Sequence, residues 1–192
     1  PVIFNDITID SADNIWLGTN QGLIFFDHKK ETFEMFKPDP DGDLGHSDMY
    51  CLKFDTFNNL WIGTHFNGLL KYDDKSVLNS FSSYNDNKTS LTPGWAYRIY
   101  ESSDGKVWIA TIGGVGQTGI NEFDPKTESI RPHPFESIFP GFQGFTAFVE
   151  QRPGEFLVST GNAFYIYYTR SNVVQNTTLQ GFPDSVYVFN FS

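Results

Sequence analysis

The sequence has few of the residues that support disulfide or metal chemistry. Of its 192 residues one is a cysteine, Cys51, which excludes an intramolecular disulfide and a cysteine-based zinc site. Its four histidines are scattered, so they assemble into no metal cluster and no Ser–His–Asp set. We therefore expect no metal, no cofactor and no catalytic residue in this chain.

Positive charge and long apolar runs are scarce as well. Thirteen Lys and Arg stand against 23 Asp and Glu, a net charge of −10. This balance argues against nucleic acid and against an anionic membrane surface as partners. No apolar run approaches the roughly 18 residues of a membrane span. Since the chain starts at Pro1, we interpret it as an excised or processed piece of a longer protein.

Aromatic residues, in contrast, are abundant. They make up 17% of the chain, and 20 residues are Phe. A disordered chain would not carry such a share. The composition predicts a packed core.

A short aromatic-centred motif recurs four times. Asn14-Ile-Trp-Leu-Gly-Thr19 returns as Asn59-Leu-Trp-Ile-Gly-Thr64, as Lys106-Val-Trp-Ile-Ala-Thr111 and, more weakly, as Glu155-Phe-Leu-Val-Ser159. We assign the repeat anchors to Trp16, Trp61, Trp108 and Phe156, spaced by 45, 47 and 48 residues. The aromatic anchors are expected to be core residues between sheets. The small residues two places later, Gly18, Gly63 and Ala110, are expected to leave room for close sheet packing.

The flanks of the motif repeat too. An acidic residue precedes the anchor by six positions as Asp10, Asp55 and Glu150, while the third copy has Glu101 one position further back. Turn residues fill the gap, and they supply the positive φ angles of tight hairpins: Asp13-Asn14, Asn58-Asn59, Asp104-Gly105 and Pro153-Gly154. Each copy thus predicts four short strands joined by hairpins.

A four-stranded repeat of this period predicts an all-β propeller, because one blade cannot bury both of its faces. We expect about four blades of four antiparallel strands, plus the first strand of a fifth. The approximate blade bounds are residues 3–37, 48–82, 95–132 and 144–176, with the next blade starting at 185–192.

The repeat resembles that of the two-component regulator propeller family. An Asp, then Asn-φ-Trp-φ-Gly-Thr, Gly-Leu, an aromatic and Asp occur from Asp10 to Asp27 and from Asp55 to Asp73. Acidic, Asn- and Pro-containing linkers such as residues 36–44 and 84–91 are similar to those of the family. The resemblance covers roughly residues 3–170.

This resemblance implies a function. Such repeats form the periplasmic sensor part of hybrid two-component systems, especially in Bacteroidetes, in inner-membrane receptors that carry a histidine kinase. Their inputs are commonly oligosaccharides, and their outputs are polysaccharide-utilisation genes. The implied partners are a carbohydrate or other small ligand and a second receptor copy in a homodimer. The resemblance also implies that the membrane is reached only through a downstream span outside this sequence.

A ligand site is expected on the face formed by the loops between strands two and three and by the blade-linking loops. Aromatic, amide, histidine and arginine side chains suit sugar recognition there. The candidate ligand-binding residues are Gln21, His46, His65, Phe66, Asn67, Trp95, Arg98, Gln117 and Gln143. Trp95 stands out because it lies outside the repeated Trp position.

Two other functions stay open. Enzymes occur on propellers, so the chain could belong to a lyase or glycoside hydrolase. It could also be a purely structural propeller segment of a receptor. A four-blade piece leaves open sheet surfaces, which predicts that the chain associates with itself.

Overall fold

The computed structural model describes residues 1–36, 47–65, 67–73, 78–81, 91–113, 118–134, 145–160 and 163–177. Within these ranges the chain forms sixteen strands and no helix. The strands are β1 (Phe4–Ile9), β2 (Ile15–Thr19), β3 (Gly22–Asp27), β4 (Thr32–Phe36), β5 (Met49–Phe54), β6 (Leu60–Thr64), β7 (Leu69–Tyr72), β8 (Leu78–Phe81), β9 (Trp95–Glu101), β10 (Val107–Ile112), β11 (Gly119–Asp124), β12 (Ser129–Pro134), β13 (Phe145–Arg152), β14 (Glu155–Thr160), β15 (Phe164–Tyr168) and β16 (Val173–Thr177).

Four consecutive strands make each sheet. The sheets are β1–β4, β5–β8, β9–β12 and β13–β16, and every neighbouring pair is antiparallel. Across the sheets, β1 contacts β5, β5 contacts β9, and β9 contacts β13. The first strands therefore lie side by side, as they do around the axis of a propeller. The predicted all-β fold with four-stranded blades is confirmed, while the expected fifth blade, residues 185–192, lies outside the described residues.

The repeated Asp–Asn–Trp pattern is a hydrogen-bonded turn. In the second blade, the Asp55 carboxylate accepts bonds from the backbone N–H of Phe57 (3.0 Å) and Asn59 (2.8 Å). It also accepts from Asn59 Nδ2 (2.8 Å) and from the indole Nε1 of Trp61 (2.8 Å). Asn58 has a φ of 62°. One carboxylate thus closes the hairpin and fixes the orientation of the buried indole.

The first blade repeats this turn. Asp10 accepts from the backbone of Ala12 and Asn14 (both 2.9 Å) and from Trp16 Nε1 (3.1 Å). Burial alone raises the pKa of Asp10, but the bonds from Trp16 and Asn14 together lower it below its ordinary value. Asp13 has a φ of 65°. The predicted positive φ angles of these hairpins are confirmed.

In the third blade, the alignment of Glu101 with Asp10 and Asp55 is wrong. Ser102 holds that place, because its Oγ accepts from Trp108 Nε1 at 3.2 Å. The Glu101 carboxylate instead accepts from the backbone N–H (3.0 Å) and the hydroxyl (2.7 Å) of Thr56, in the preceding blade. Glu101 therefore bonds to the neighbouring blade rather than to its own turn.

In the fourth blade, the anchor assignment to Phe156 is off by one residue. The positive-φ turn glycine lies three residues before Trp108 as Gly105 and three residues before Leu157 as Gly154. Phe156 faces the preceding blade, with its ring centroid 5.0 Å from that of Trp108. Leu157, half-buried, occupies the anchor register.

The core consists of the contacts between blades. Trp16, Trp61 and Trp108 are 7%, 0% and 3% exposed. Each packs on apolar side chains of the next blade's sheet: Trp16 on Leu52, Leu60, Ile62 and Leu70; Trp61 on Val107, Ile109, Phe123 and Ile130; Trp108 on Phe148, Phe156 and Val158. Large aromatic areas removed from water make these contacts the main source of stability.

Close approach at one repeat position requires glycine. A Cβ built on Gly63 would lie 2.4 Å from the backbone oxygen of Ala96 and 2.4 Å from Cys51 Sγ. Ala96 belongs to the next blade, so this glycine lets two sheets come together. Cys51 is buried there, and burial raises the pKa of its thiol.

One face of the first blade is uncovered within the described residues. Ile7, Ile9, Phe33 and Met35 are 59%, 58%, 67% and 46% exposed. In the second blade the matching face carries Leu52, which is buried under Trp16 of the first. The exposed rows are therefore a blade-packing surface without its neighbouring blade.

Candidate functional site

Every first strand contains a bulge at the same place. The pairing of β1, β5, β9 and β13 with the second strand skips Asn5, Tyr50, Tyr97 and Thr146, respectively. Bulges re-aim side chains and occur at barrel rims and next to functional sites. In the second and third blades the re-aimed residue is a tyrosine.

Tyr50, His65, Trp95 and Tyr97 form an aromatic cluster between the second and third blades. The Tyr50 and Trp95 rings are stacked, with centroids 6.0 Å apart and planes inclined by 19°. His65 meets Trp95 edge-on at 4.2 Å and Tyr50 at 5.6 Å, and Tyr97 lies 6.3 Å from Tyr50. Trp95 is 41% exposed, so the cluster presents an indole to solvent.

Polar groups border the aromatic cluster. The backbone N–H of His65 donates to the Asp48 carbonyl (3.1 Å), and His65 Nδ1 lies 3.6 Å from Asp48 Oδ2. Asn67 Nδ2 donates to Ser47 Oγ at 2.5 Å. A carboxylate, an amide and a hydroxyl thus lie beside the rings.

A guanidinium and a tyrosine hydroxyl add further polar groups to the aromatic cluster. The Arg98 guanidinium carbon lies 4.3 Å from the centroid of the Tyr97 ring, and Arg98 Nη1 donates to the Tyr97 carbonyl (3.0 Å). Burial, then the charge of Asp48 and then Tyr97 raise the pKa of Tyr50. Its hydroxyl is therefore a neutral hydrogen-bond donor and acceptor at physiological pH.

A buried polar network holds the segment that leads into Trp95. The Asn121 side-chain oxygen accepts from the backbone N–H and from the hydroxyl of Thr92 (both 2.8 Å), and Thr111 Oγ1 donates to Thr92 Oγ1 (3.0 Å). Asn121 and Thr111 are fully buried. Gly94, with a φ of 126°, then turns the chain into β9. Buried networks in which every polar group is hydrogen-bonded are rigid, so the backbone that leads into Trp95 is held in place.

The candidate ligand-binding residues predicted from sequence do not all lie at one place in the structure. It brings together His65, Asn67, Trp95 and Arg98. Gln21 is exposed at the tip of the β2–β3 turn in the first blade, and its backbone N–H donates to Thr19 Oγ1 (3.0 Å). The candidates that lie outside the described residues are His46, Phe66, Gln117 and Gln143.

Tyr50 and Tyr97 were missed by sequence reasoning. Each lies eleven residues before its anchor, Trp61 or Trp108, as Asn5 does before Trp16. That constant offset is a signal that could have found them.

The described residues contain neither a metal-ligand group nor a membrane-spanning helix. Among the described residues no group of three or more His, Cys, Asp or Glu side chains could hold a metal ion. No helix in the part of the chain that the structure covers is long and apolar enough to span a bilayer.

Comparison with protein families places the repeat. Residues 90–113 match the family described as two component regulator propeller. This segment contains both Trp95 and the anchor Trp108. The recognition of the repeat from its Trp-centred motif is confirmed. No curated protein matches the chain in sequence.

Solved structures share the fold. The extracellular domain of the hybrid two component system BT4673 from B. thetaiotaomicron has a TM-score of 0.73 and 18% identity, covering 99% of this chain and 24% of that one. The extracellular domain of the hybrid two component system BT3049 from the same organism has a TM-score of 0.73 and 18% identity, covering 91% and 24%. The chain thus spans about a quarter of the length of these domains.

An enzyme shares the fold as well. The Niastella koreensis GH74 enzyme has a TM-score of 0.65 and 15% identity over 90% of this chain and 29% of that one. At such identities the likeness shows the fold alone. The chain is a β-propeller protein. In particular, its residues 90–113 match the two component regulator propeller repeat, and its fold is similar to that of extracellular domains of hybrid two component systems.

Proposed function

We propose that this chain is part of the ligand-sensing region of a hybrid two component system and that it binds a carbohydrate at the aromatic cluster. The observation that carries the proposal is the exposed Trp95 ring, held on Tyr50 and bordered by Asp48 and Asn67. An aromatic platform packs on the C–H face of a sugar, while carboxylate and amide groups bind its hydroxyls.

The same comparisons support a proposal for the setting of the parent protein. The similar domains are extracellular parts of hybrid two component systems. We therefore place this chain outside the cytoplasm, in a periplasmic or extracellular region of an inner-membrane receptor that carries histidine kinase activity and works as a homodimer. Ligand binding would shift the equilibrium between two arrangements of the paired receptors, and so control polysaccharide-utilisation genes.

The chain itself acts in binding rather than in catalysis under this proposal. A glycoside hydrolase needs two opposed carboxylates. The contacts of the described aromatic cluster include one carboxylate, Asp48. The competing enzyme function is supported by the shared fold of the GH74 enzyme.

Calorimetry against a panel of neutral oligosaccharides, with a turnover assay on the same panel, tests the proposal. We expect binding without turnover and an affinity loss of tenfold or more in Trp95→Ala, which is the size of loss expected for a central aromatic contact. Phe57→Ala is the matched control, because Phe57 is 71% exposed and lies in a turn at the other end of the blade.

Each outcome has a distinct meaning. Turnover of any panel member would establish the enzyme function instead. Absence of binding throughout the panel would leave the structural segment as the function. Equal losses in Trp95→Ala and Phe57→Ala would refute the aromatic cluster as the binding surface.

A further inference from the structure

A second cleft lies between the third and fourth blades, at the end of the strands opposite the aromatic cluster. It encloses about 180 Å³. Trp108 and Phe156 form its buried floor. Its walls come from the β9–β10 turn, β12 and the β15–β16 turn, and they carry Lys106, Arg131 and Arg170. In a chain with a net charge of −10, these are three of only 13 Lys and Arg residues.

The two glutamate side chains that line the cleft already have bonding partners. Glu122 pairs with Lys106, and its other oxygen lies 3.4 Å from His133 Nε2. Glu150 accepts from the backbone N–H of Ser103 at 2.7 Å. Both carboxylates therefore have internal partners.

The third carboxylate is engaged in the same way. Asp104 Oδ1 accepts from the Ser102 hydroxyl at 2.6 Å. With Glu122 and Glu150, it balances the three cations in formal charge. The ligand preference of the cleft thus depends on which charged groups still have donors or acceptors to offer.

The two arginines are the groups that do. Arg131 and Arg170 are both exposed. Neither guanidinium makes a hydrogen bond or an ion pair with a residue in the part of the chain that the structure describes, although the Arg131 backbone pairs with Glu122 in the sheet. A guanidinium presents a planar fork of donors that matches carboxylate and sulfate oxygens. The hydroxyls of Ser103 and Thr169 line the same cleft.

We propose that this cleft binds a small anionic ligand, whose carboxylate or sulfate group is held by Arg131 and Arg170. The site is separate from the aromatic cluster and does not depend on it. A volume of about 180 Å³ is below the roughly 300–1,000 Å³ typical of sites for larger ligands. The cleft therefore suits one charged sugar unit or a comparable small acid, and not a long chain.

NMR titration of the 192-residue chain with sodium glucuronate, inorganic sulfate and glucose, at constant ionic strength, tests this inference. We expect saturable shifts at the amides of Ser103, Lys106 and Thr169 with at least one of the two anions and none with glucose. The anion that binds more tightly identifies the charged group. Arg131→Gln with Arg170→Gln should weaken that binding tenfold or more.

Arg152→Gln is the matched control, since Arg152 is an exposed arginine of the fourth blade that pairs with Glu155. It should leave anion binding unchanged, and Trp95→Ala should also leave it unchanged. Absence of saturation with both anions, or equal affinity in the double variant, would overturn the inference. Because the two sites have separate variants, failure at one is distinguishable from failure at the other.

Discussion

Replacing Asp55 with alanine tests the turn that orients each blade's tryptophan. The change removes one carboxylate that accepts from Phe57, Asn59 and Trp61. The side chain of Trp61 is 0% exposed, whereas Phe57 is exposed. Water can therefore replace the lost acceptor at the turn but cannot reach the indole N–H.

The expected cost follows from these differences. Leaving a buried donor unsatisfied costs about 1–3 kcal/mol, and a hydrogen bond to a charged group contributes about 1.5–3 kcal/mol. We expect Asp55→Ala to lower the free energy of unfolding by about 3–5 kcal/mol. Asp10→Ala should cost about 1–2.5 kcal/mol, because Trp16 keeps some exposure and its blade is open on one side. Ser102→Ala, which removes a neutral acceptor at 3.2 Å from Trp108 Nε1, should cost about 1 kcal/mol.

Urea denaturation followed by tryptophan fluorescence and by circular dichroism measures this series. A double-mutant cycle with Trp61→Phe isolates the indole bond, because phenylalanine offers no N–H to leave unsatisfied. In the Trp61→Phe background, the penalty of Asp55→Ala should shrink by about 1–3 kcal/mol.

Two results would refute this reasoning. One is a cost for Asp55→Ala below that for Asp10→Ala, since the buried indole should make the second blade more sensitive. The other is an unchanged penalty in the Trp61→Phe background. Either result would mean that packing alone orients the tryptophans.

Three further changes have defined outcomes. Gly63→Ala should abolish folding or cost more than about 3 kcal/mol in thermal unfolding, since its Cβ meets backbone of the next blade at 2.4 Å. The His133 hydrogen bond, against the effect of burial and with the help of Lys106, lowers the pKa of Glu122 from 4.5 to about 2. Its stabilisation is therefore complete above about pH 4.5 and lost as pH falls toward 2, and Glu122→Gln should flatten that part of the stability–pH curve. Light scattering should show self-association through the open first blade, reduced by Ile7→Lys; a monodisperse monomer would contradict it.

The sequence predicted most of the fold because each blade is a local unit. Anchors, turn residues and strand lengths all fall within one repeat, and local hairpins set the pairing. The errors arose where the type of a residue was used to assign its position in the strand pairing. Phe156 looked like an anchor because it is aromatic, yet the turn at Gly154 fixes the register and turns Phe156 toward the preceding blade. A shift of one residue moves a side chain to the other face of a sheet.

The candidate site was less predictable, because it depends on contacts between blades. Loop position and residue type pointed to Trp95 and His65, which the structure brings together at 4.2 Å. Tyr50 and Tyr97 join them only because a bulge re-aims each one, and a bulge leaves no mark in hydrophobic patterning. Aligning the repeats by their distance from the anchor residue would have identified both tyrosines.

The glutamates that bond to the preceding blade have a mechanical consequence. Glu101 holds the turn at Thr56, and Glu150 holds the turn at Ser103. Both bonds lie at the end of the strands opposite Trp95. These bonds thus connect the second blade to the third and the third to the fourth at one rim, whereas Tyr50 and Trp95 meet at the opposite rim through ring stacking. We expect a molecule that inserts between Tyr50 and Trp95 to separate the second and third blades at the aromatic rim. Because the bonds from Glu101 hold the opposite rim together, the two blades would rotate about that contact.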